Sequence, residues 1–185
     1  MNHSNKVCPV ERAGALDLSL RRLVQNPTRI LKPYLKSRDK VLDFGCGPGF
    51  FTFDIAKLVG EAGLVFAADL QTGMLEIVEK KIIARNMQKR IQIHKCEESS
   101  IGLNDTVDFI LAFYMIHELP NQDQTFLEFK KILNPKGKVL IIEPNFHVTQ
   151  NDFDKMLLNL KSVGFKIINR PGVFFSRSVI LQHDN

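Results

Sequence analysis

Short β-branched runs alternate with stretches whose apolar residues recur every three to four positions, and that succession predicts an α/β fold with a parallel sheet covered by helices on both faces. Residues 40–44 read as a first strand running into Gly45-Cys46-Gly47-Pro48-Gly49. A helix over 50–58 follows, stopped by Gly60 and Gly63. Residues 64–68, ending at Asp69, predict a second strand, and 72–86 a helix with Met74, Leu75, Val78 and Ile82 on one face. Residues 91–94 alternate as a short third strand. Residues 107–113 are apolar almost throughout, as in a strand buried on both faces. Pro120-Asn121 opens a helix to Leu133, Asn134-Pro135-Lys136-Gly137 predicts a turn, and 138–142 a fifth strand.

The C-terminal pattern differs. Asp152 is expected to cap a helix that turns Phe153, Met156, Leu157 and Leu160 inward and ends at Gly164. Two further runs, 165–169 and 176–182, are joined through Pro171-Gly172 with no room for a helix, so they should pair antiparallel. Five parallel strands closed by a hairpin is the expected sheet. Residues 9–36 read as helical, broken around Asn26-Pro27, so the chain divides into an N-terminal helical cap segment, 1–36, and one compact unit, 37–185.

The bulk numbers add bounds. The 185 residues suffice for one core and are too few for two comfortable domains. A formal charge of +5 would favour anionic partners, but the basic residues are scattered. Their densest group, Lys80-Lys81 with Arg85 and Lys89-Arg90, reads as the solvated face of a helix, so no nucleic-acid partner is expected. Cys8, Cys46 and Cys96 are odd in number and unpaired in spacing, which predicts reduced thiols; they form no metal pattern with the five histidines. The polar start is not a secretory signal, and the apolar run 109–116 is far short of the roughly 20 residues a membrane span needs. A cytoplasmic chain without a membrane partner, monomeric or homodimeric, is the expectation.

The strongest chemical signal is Asp43-Phe44-Gly45-Cys46-Gly47-Pro48-Gly49. A glycine turn between strand and helix lets a ligand approach the backbone where a Cβ would clash. Its glycines fall at every second position rather than in the dinucleotide spacing G-x-G-x-x-G. Asp43 would repel a pyrophosphate and suit an ammonium group. Asp69, at the end of the next strand, is placed to accept from ribose hydroxyls. The ligand read from these residues has a ribose and a cationic amino-acid end, and no diphosphate.

With these motifs the chain resembles the class I S-adenosylmethionine-dependent methyltransferases, and within them the group that includes quinone-biosynthesis enzymes. Residues 41–49 resemble the family's first motif, Ala68-Asp69 its ribose-binding position, 108–119 its fourth strand and following loop, and 133–144 its turn and fifth strand. The resemblance implies a Rossmann-like doubly wound sheet of order 3-2-1-4-5-7-6 with strand 7 antiparallel. It implies S-adenosylmethionine as cofactor and S-adenosylhomocysteine as product. Carried over, Gly45, Cys46, Gly47 and Gly49 would line the methionine portion, Asp43 would face its amino group, Asp69 would hold the ribose, Leu70 would pack on the adenine, and Ala112 would belong to the same pocket. Many members have an aspartate where this chain has Cys96; Glu97 or Glu98, with Glu97 preferred, would meet the adenine amino group instead.

Methyl transfer from a sulfonium requires chiefly alignment and a dry pocket, with a general base only where the acceptor must lose a proton. Tyr114 and His117 follow the fourth strand and His147 the fifth, and these three are the catalytic candidates; Glu118 and Glu143 read as structural. Phe50, Phe113, Tyr114 and Met115 suggest a small, uncharged or soft acceptor. With only a short stretch after the fifth strand, acceptor recognition would fall to residues 1–36, folded over the cofactor. An RNA or protein acceptor, or a binding module without catalysis, are the competing readings; an NAD-dependent oxidoreductase would need the fingerprint that is missing here.

Overall fold

Seven strands form a single sheet of order β3-β2-β1-β4-β5-β7-β6 in a computed structural model that describes residues 19–184. Two short helices come first, α1 (Ser19–Val24) and α2 (Pro27–Leu31). Then follow β1 (Lys40–Phe44), α3 (Thr52–Val59), β2 (Leu64–Asp69), α4 (Thr72–Ala84), β3 (Ile91–Lys95), β4 (Val107–Phe113), a 3-10 turn (Ile116–Glu118), α5 (Gln122–Ile132), β5 (Leu133–Pro144), α6 (Gln150–Val163), β6 (Phe165–Asn169) and β7 (Ser176–His183). Strands β1 to β5 are parallel, and β7 runs antiparallel to both β5 and β6. The expected strand order and orientation are therefore found.

The central strands alternate between two cores. Ile110, Ala112, Val139 and Ile141 face the layer holding Phe126, Phe129 and Phe153 of α5 and α6. Phe109, Leu111, Leu140 and Ile142 face the layer holding Phe53, Ile55 and Val78 of α3 and α4. Each fully buried aromatic or aliphatic side chain contributes about 2 kcal/mol, which is why these strands are apolar on both faces. Among the described residues, no buried side-chain polar atom lacks a hydrogen-bond partner.

Three local expectations are corrected. The stretch 134–137 is not a separate turn before β5 but an irregularity within it: Leu133 pairs with Val107, and the next pairing is Lys138 with Phe109. The Asn134 Nδ2 donates to Asp108 Oδ1 at 2.7 Å and holds the bulge. Thr149, not Asp152, caps α6; its hydroxyl accepts from the Asp152 N–H at 3.2 Å and donates to the Asp152 carboxylate at 2.7 Å. Of the helical stretch expected over 9–36, the part before residue 19 lies outside the described residues. The rest holds α1 and α2, separated where Asn26 accepts from the Arg29 N–H as a new N-cap and Pro27 takes the first helical position. Residues 32–38 are turns rather than helix.

Candidate functional site

The C-terminal ends of β1 and β2 lie side by side, with Asp43 opposite Ala67 and Phe44 opposite Ala68, so the loop after β1 emerges next to Asp69. That loop folds back on β2: the N–H groups of Gly45 and Cys46 both donate to Ala68 O at 2.9 Å. Gly45, Gly47 and Gly49 all have positive φ, at +70°, +52° and +86°. A Cβ on Gly45 would lie 2.9 Å from Met115, and one on Gly49 2.8 Å from Phe53. A Cβ on Gly47 would meet nothing within 4 Å, because Gly47 faces open space.

Both acids are buried. Asp43 accepts from the Thr52 hydroxyl at 2.6 Å, and its burial pushes its carboxyl up to about 7 despite that bond. Asp69 accepts from the Gly47 N–H at 2.9 Å through one oxygen and from the Gln71 N–H at 2.8 Å through the other. Burial raises Asp69 too, with these backbone bonds opposing the shift. The Leu70 N–H is a third backbone donor to this carboxylate.

A cleft of about 610 Å³ opens over this strand edge. Asp43, Gly45, Cys46, Gly47, Asp69, Leu70 and Glu97 all line it, with Cys96 and Glu98 beside them. Ala112 does not line it: on β4 it is fully buried and turned to the core layer of α5 and α6. Gly49 sits behind the loop, against Phe53. Burial raises the Cys46 thiol well above its ordinary range and the Cys96 thiol to about 12, so both stay protonated and are poor nucleophiles or metal ligands.

The other end of the cleft is aromatic. Phe113 and Tyr114 stack with centroids 4.1 Å apart, and Phe51 and Phe50 lie 4.6 and 6.4 Å from Phe113. Over these rings sits Arg21 of α1, its guanidinium carbon 4.6, 4.9 and 5.3 Å from the centroids of Phe50, Phe113 and Tyr114. Gln25, buried just after α1, donates to Tyr114 Oη at 2.6 Å and to Phe174 O at 3.0 Å, and Tyr114 Oη also pairs with Ser176 Oγ at 2.7 Å. Tyr114 holds φ +58°, a conformation that costs an L-residue energy and that these contacts enforce.

The structure separates the three catalytic candidates. Tyr114 lines the cleft, whereas His117 and His147 line a second cavity of about 370 Å³ with Glu143. The His117 Nδ1 is 2.5 Å from Glu143 Oε2, while Glu143 Oε1 accepts from the Ile116 N–H at 3.0 Å. Glu143 is nearly inaccessible, and its two oxygens fasten the 3-10 turn to the end of β5. His147 stacks on His117 at 5.8 Å. The turn thus presents Met115 and Glu118 to the cleft and His117 to its far side. Arg21, Gln25 and the clamping role of Glu143 were not foreseen from sequence; each acts across 26 residues or more, and no local pattern marks it.

No group of His, Cys, Asp and Glu able to hold a metal ion occurs among the described residues, and none of the described helices is long and apolar enough to cross a membrane. A family model described as a methyltransferase domain matches residues 35–170. A demethylmenaquinone methyltransferase from Lactobacillus johnsonii is 34% identical over 110 residues, 59% of this chain and 45% of that protein. A ubiquinone/menaquinone biosynthesis C-methyltransferase from Blochmanniella pennsylvanica is 27% identical, over 62% of this chain and 46% of that protein. The chain therefore spans about half the length of these relatives. The crystal structure of a SAM-dependent methyltransferase from Aquifex aeolicus superimposes with a TM-score of 0.86 at 28% identity, covering 95% of this chain and 98% of that one.

Proposed function

The chain belongs to the methyltransferase domain family, and from that premise we propose that it is an S-adenosylmethionine-dependent methyltransferase acting on a small-molecule acceptor in the cytoplasm. The observation that carries the reading is the pair of buried carboxylates on neighbouring strand ends, Asp43 and Asp69, flanking a glycine loop whose middle glycine opens into the cleft. The donor set fits that cofactor. Asp43 offers a charge partner for an ammonium group at the buried end, and Asp69 offers a carboxylate oriented by backbone N–H groups to accept from a ribose hydroxyl. Gly45, Cys46 and Gly47 would border the methionine portion, with Gly49 shaping the turn behind them. Leu70 would pack on the adenine and Glu97 would accept from its amino group. Ala112 would act only from the core, as backing for the pocket. The quinone methyltransferases among the relatives support a small-molecule acceptor.

When bound, held by Asp43, Asp69 and the loop of Gly45, Cys46 and Gly47, the cofactor would supply an electrophilic methyl on sulfur and would leave as S-adenosylhomocysteine. The chain's own contribution is alignment and exclusion of water. Phe50, Phe51, Phe113 and Tyr114 give the acceptor an apolar aromatic lining, and α1 closes over it. Tyr114, whose hydroxyl bonds to Gln25 and Ser176, orients the acceptor through its ring face. His117 acts indirectly, by holding the 3-10 turn through Glu143, with His147 stacked beside it.

Isothermal calorimetry with S-adenosylhomocysteine and with NAD+ tests the reading. S-adenosylhomocysteine should bind at least 100-fold more tightly; equal binding of the two, or no binding of S-adenosylhomocysteine, would overturn it. Release of S-adenosylhomocysteine across a panel of small acceptors separates an enzyme from a binding module.

A further inference from the structure

We propose that Glu128, a residue of α5 that does not itself line the cleft, is the positioning residue behind the site's selectivity for a 6-aminopurine. The inference rests on the methyl-transfer reading, with Glu97 as the partner of the adenine amino group, and it names what holds that partner in place. Cys96 follows β3 with its side chain buried and its N–H donating to Asp69 O at 3.0 Å, and Ile101 is buried in the same core layer. The four residues between them are all exposed. Glu97 and Glu98 therefore border the cleft from a loop tip. Two backbone bonds, Glu97 N–H to Ser100 O at 3.0 Å and Ser100 N–H to Glu97 O at 3.4 Å, tie that tip to itself but not to the rest of the domain. Exposed side chains give such a tip little packing to fix it.

The fastening comes from α5. One oxygen of Glu128, Oε2, accepts from the Ile101 N–H at 2.8 Å, the Ser100 hydroxyl at 3.1 Å and the Gly102 N–H at 3.4 Å. Gly102 takes φ +68°, which turns its N–H to the same side as that of Ile101. Consecutive N–H groups turned this way make a nest for an anion, and here the chain supplies the anion itself. His94 Nε2 lies 2.6 Å from Ile101 O, so β3 and α5 grip the same short stretch. Ser100, which closes the Glu97 turn, is thereby held directly by α5. With the turn fixed, Glu97 would keep its oxygens in one place, where they accept from a 6-amino group and oppose the lone pairs of a 6-oxo group. Once released, Glu97 could shift away from a 6-oxo base, and the discrimination would fade. The ribose and methionine ends would keep their partners, Asp69 and Asp43.

Isothermal calorimetry on the full chain tests this with S-adenosylhomocysteine and S-inosylhomocysteine, its 6-oxo counterpart. The wild type should prefer the amino form about 20-fold. Glu128→Ala should weaken S-adenosylhomocysteine about tenfold and the 6-oxo ligand less than about twofold, which removes most of the preference. Glu128→Gln keeps a neutral acceptor oxygen and should fall between the two. A wild-type preference below about threefold, or an undiminished preference in Glu128→Ala, would overturn the proposal. So would equal weakening of both ligands, the result a merely structural brace gives. Should Glu128→Ala fail to fold, Glu128→Gln decides on the same criterion, and a preference equal to the wild type's counts against the proposal. Absence of S-adenosylhomocysteine binding by the wild type would strike the methyl-transfer reading instead.

Discussion

At one end of the cleft, Asp43 and Asp69 hang from the adjacent strands β1 and β2, each already tied to a hydroxyl or backbone N–H supplied within 22 residues. At the other end, Arg21, Phe50, Phe113 and Tyr114 come from α1, the glycine loop and the end of β4, and are held together by ring packing and by Gln25. The first end is part of the sheet and cannot move without it. The second is fastened to the sheet from outside, so its geometry can change while the first is preserved. A site built this way separates what must stay constant for one cofactor from what can vary with the acceptor.

Three substitutions sharpen that contrast. The largest effect is expected for Asp69→Ala, which removes the ribose acceptors and leaves the Gly47 and Gln71 N–H groups without their carboxylate. S-adenosylhomocysteine affinity should fall at least 100-fold by calorimetry, or about 3 kcal/mol. A change of less than threefold would mean that the nucleoside lies elsewhere.

Asp43→Asn should weaken the same ligand about 30-fold at pH 8, yet stabilise the ligand-free protein. The Asp43 carboxyl keeps its proton up to about pH 7 in the folded state, against an ordinary value of 3.8. The folded chain therefore binds the extra proton between those values, and stability falls as pH rises through the window, then levels off. Replacing the group removes that loss. The variant should melt higher than the wild type above pH 7, by up to about 4 kcal/mol, and with no advantage by pH 4. Wild-type affinity for S-adenosylhomocysteine should drop about tenfold for each pH unit below 7, because binding an ammonium group requires the ionised carboxylate; Asp43→Asn should lack that slope. A flat wild-type profile would remove Asp43 from the ammonium site.

The smallest effect belongs to the outer end. Gln25→Ala should cost about 1–2 kcal/mol in thermal unfolding, through the lost bonds to Tyr114 and Phe174, while S-adenosylhomocysteine affinity stays within threefold. A large loss of affinity would show the two ends to be coupled.

The same contrast explains what could be read from the chain. Asp43, the glycines and Asp69 are legible because a strand, a tight turn and the next strand end fix them by local spacing. The antiparallel β6–β7 pair is legible because its connection is too short for a crossover. His117 was a reasonable base by position, but the 3-10 turn sends alternate side chains to opposite sides, and its partner Glu143 stands 26 residues away. Arg21 meets its rings 29 to 93 residues along the chain, and a cation resting on aromatic faces leaves no spacing signature. The cap of α6 was misplaced because Thr149 and Asp152 bond reciprocally, and sequence alone does not say which of the two stands outside the helix.

Arg22 and Thr28 both end on one carboxylate, that of Asp54 on α3. The stretch carrying α1 and α2 is thereby moored to α3, as Gln25 moors it to Tyr114 and Phe174, while Arg21 is the side chain of this stretch that borders the mouth of the cleft. Descendants of such a chain could trade one clientele for another by exchanging a handful of side chains on that moored stretch. A laboratory library randomised at positions 21 and 25, with the Asp54 mooring held fixed, would retrace the same route toward new catalysts.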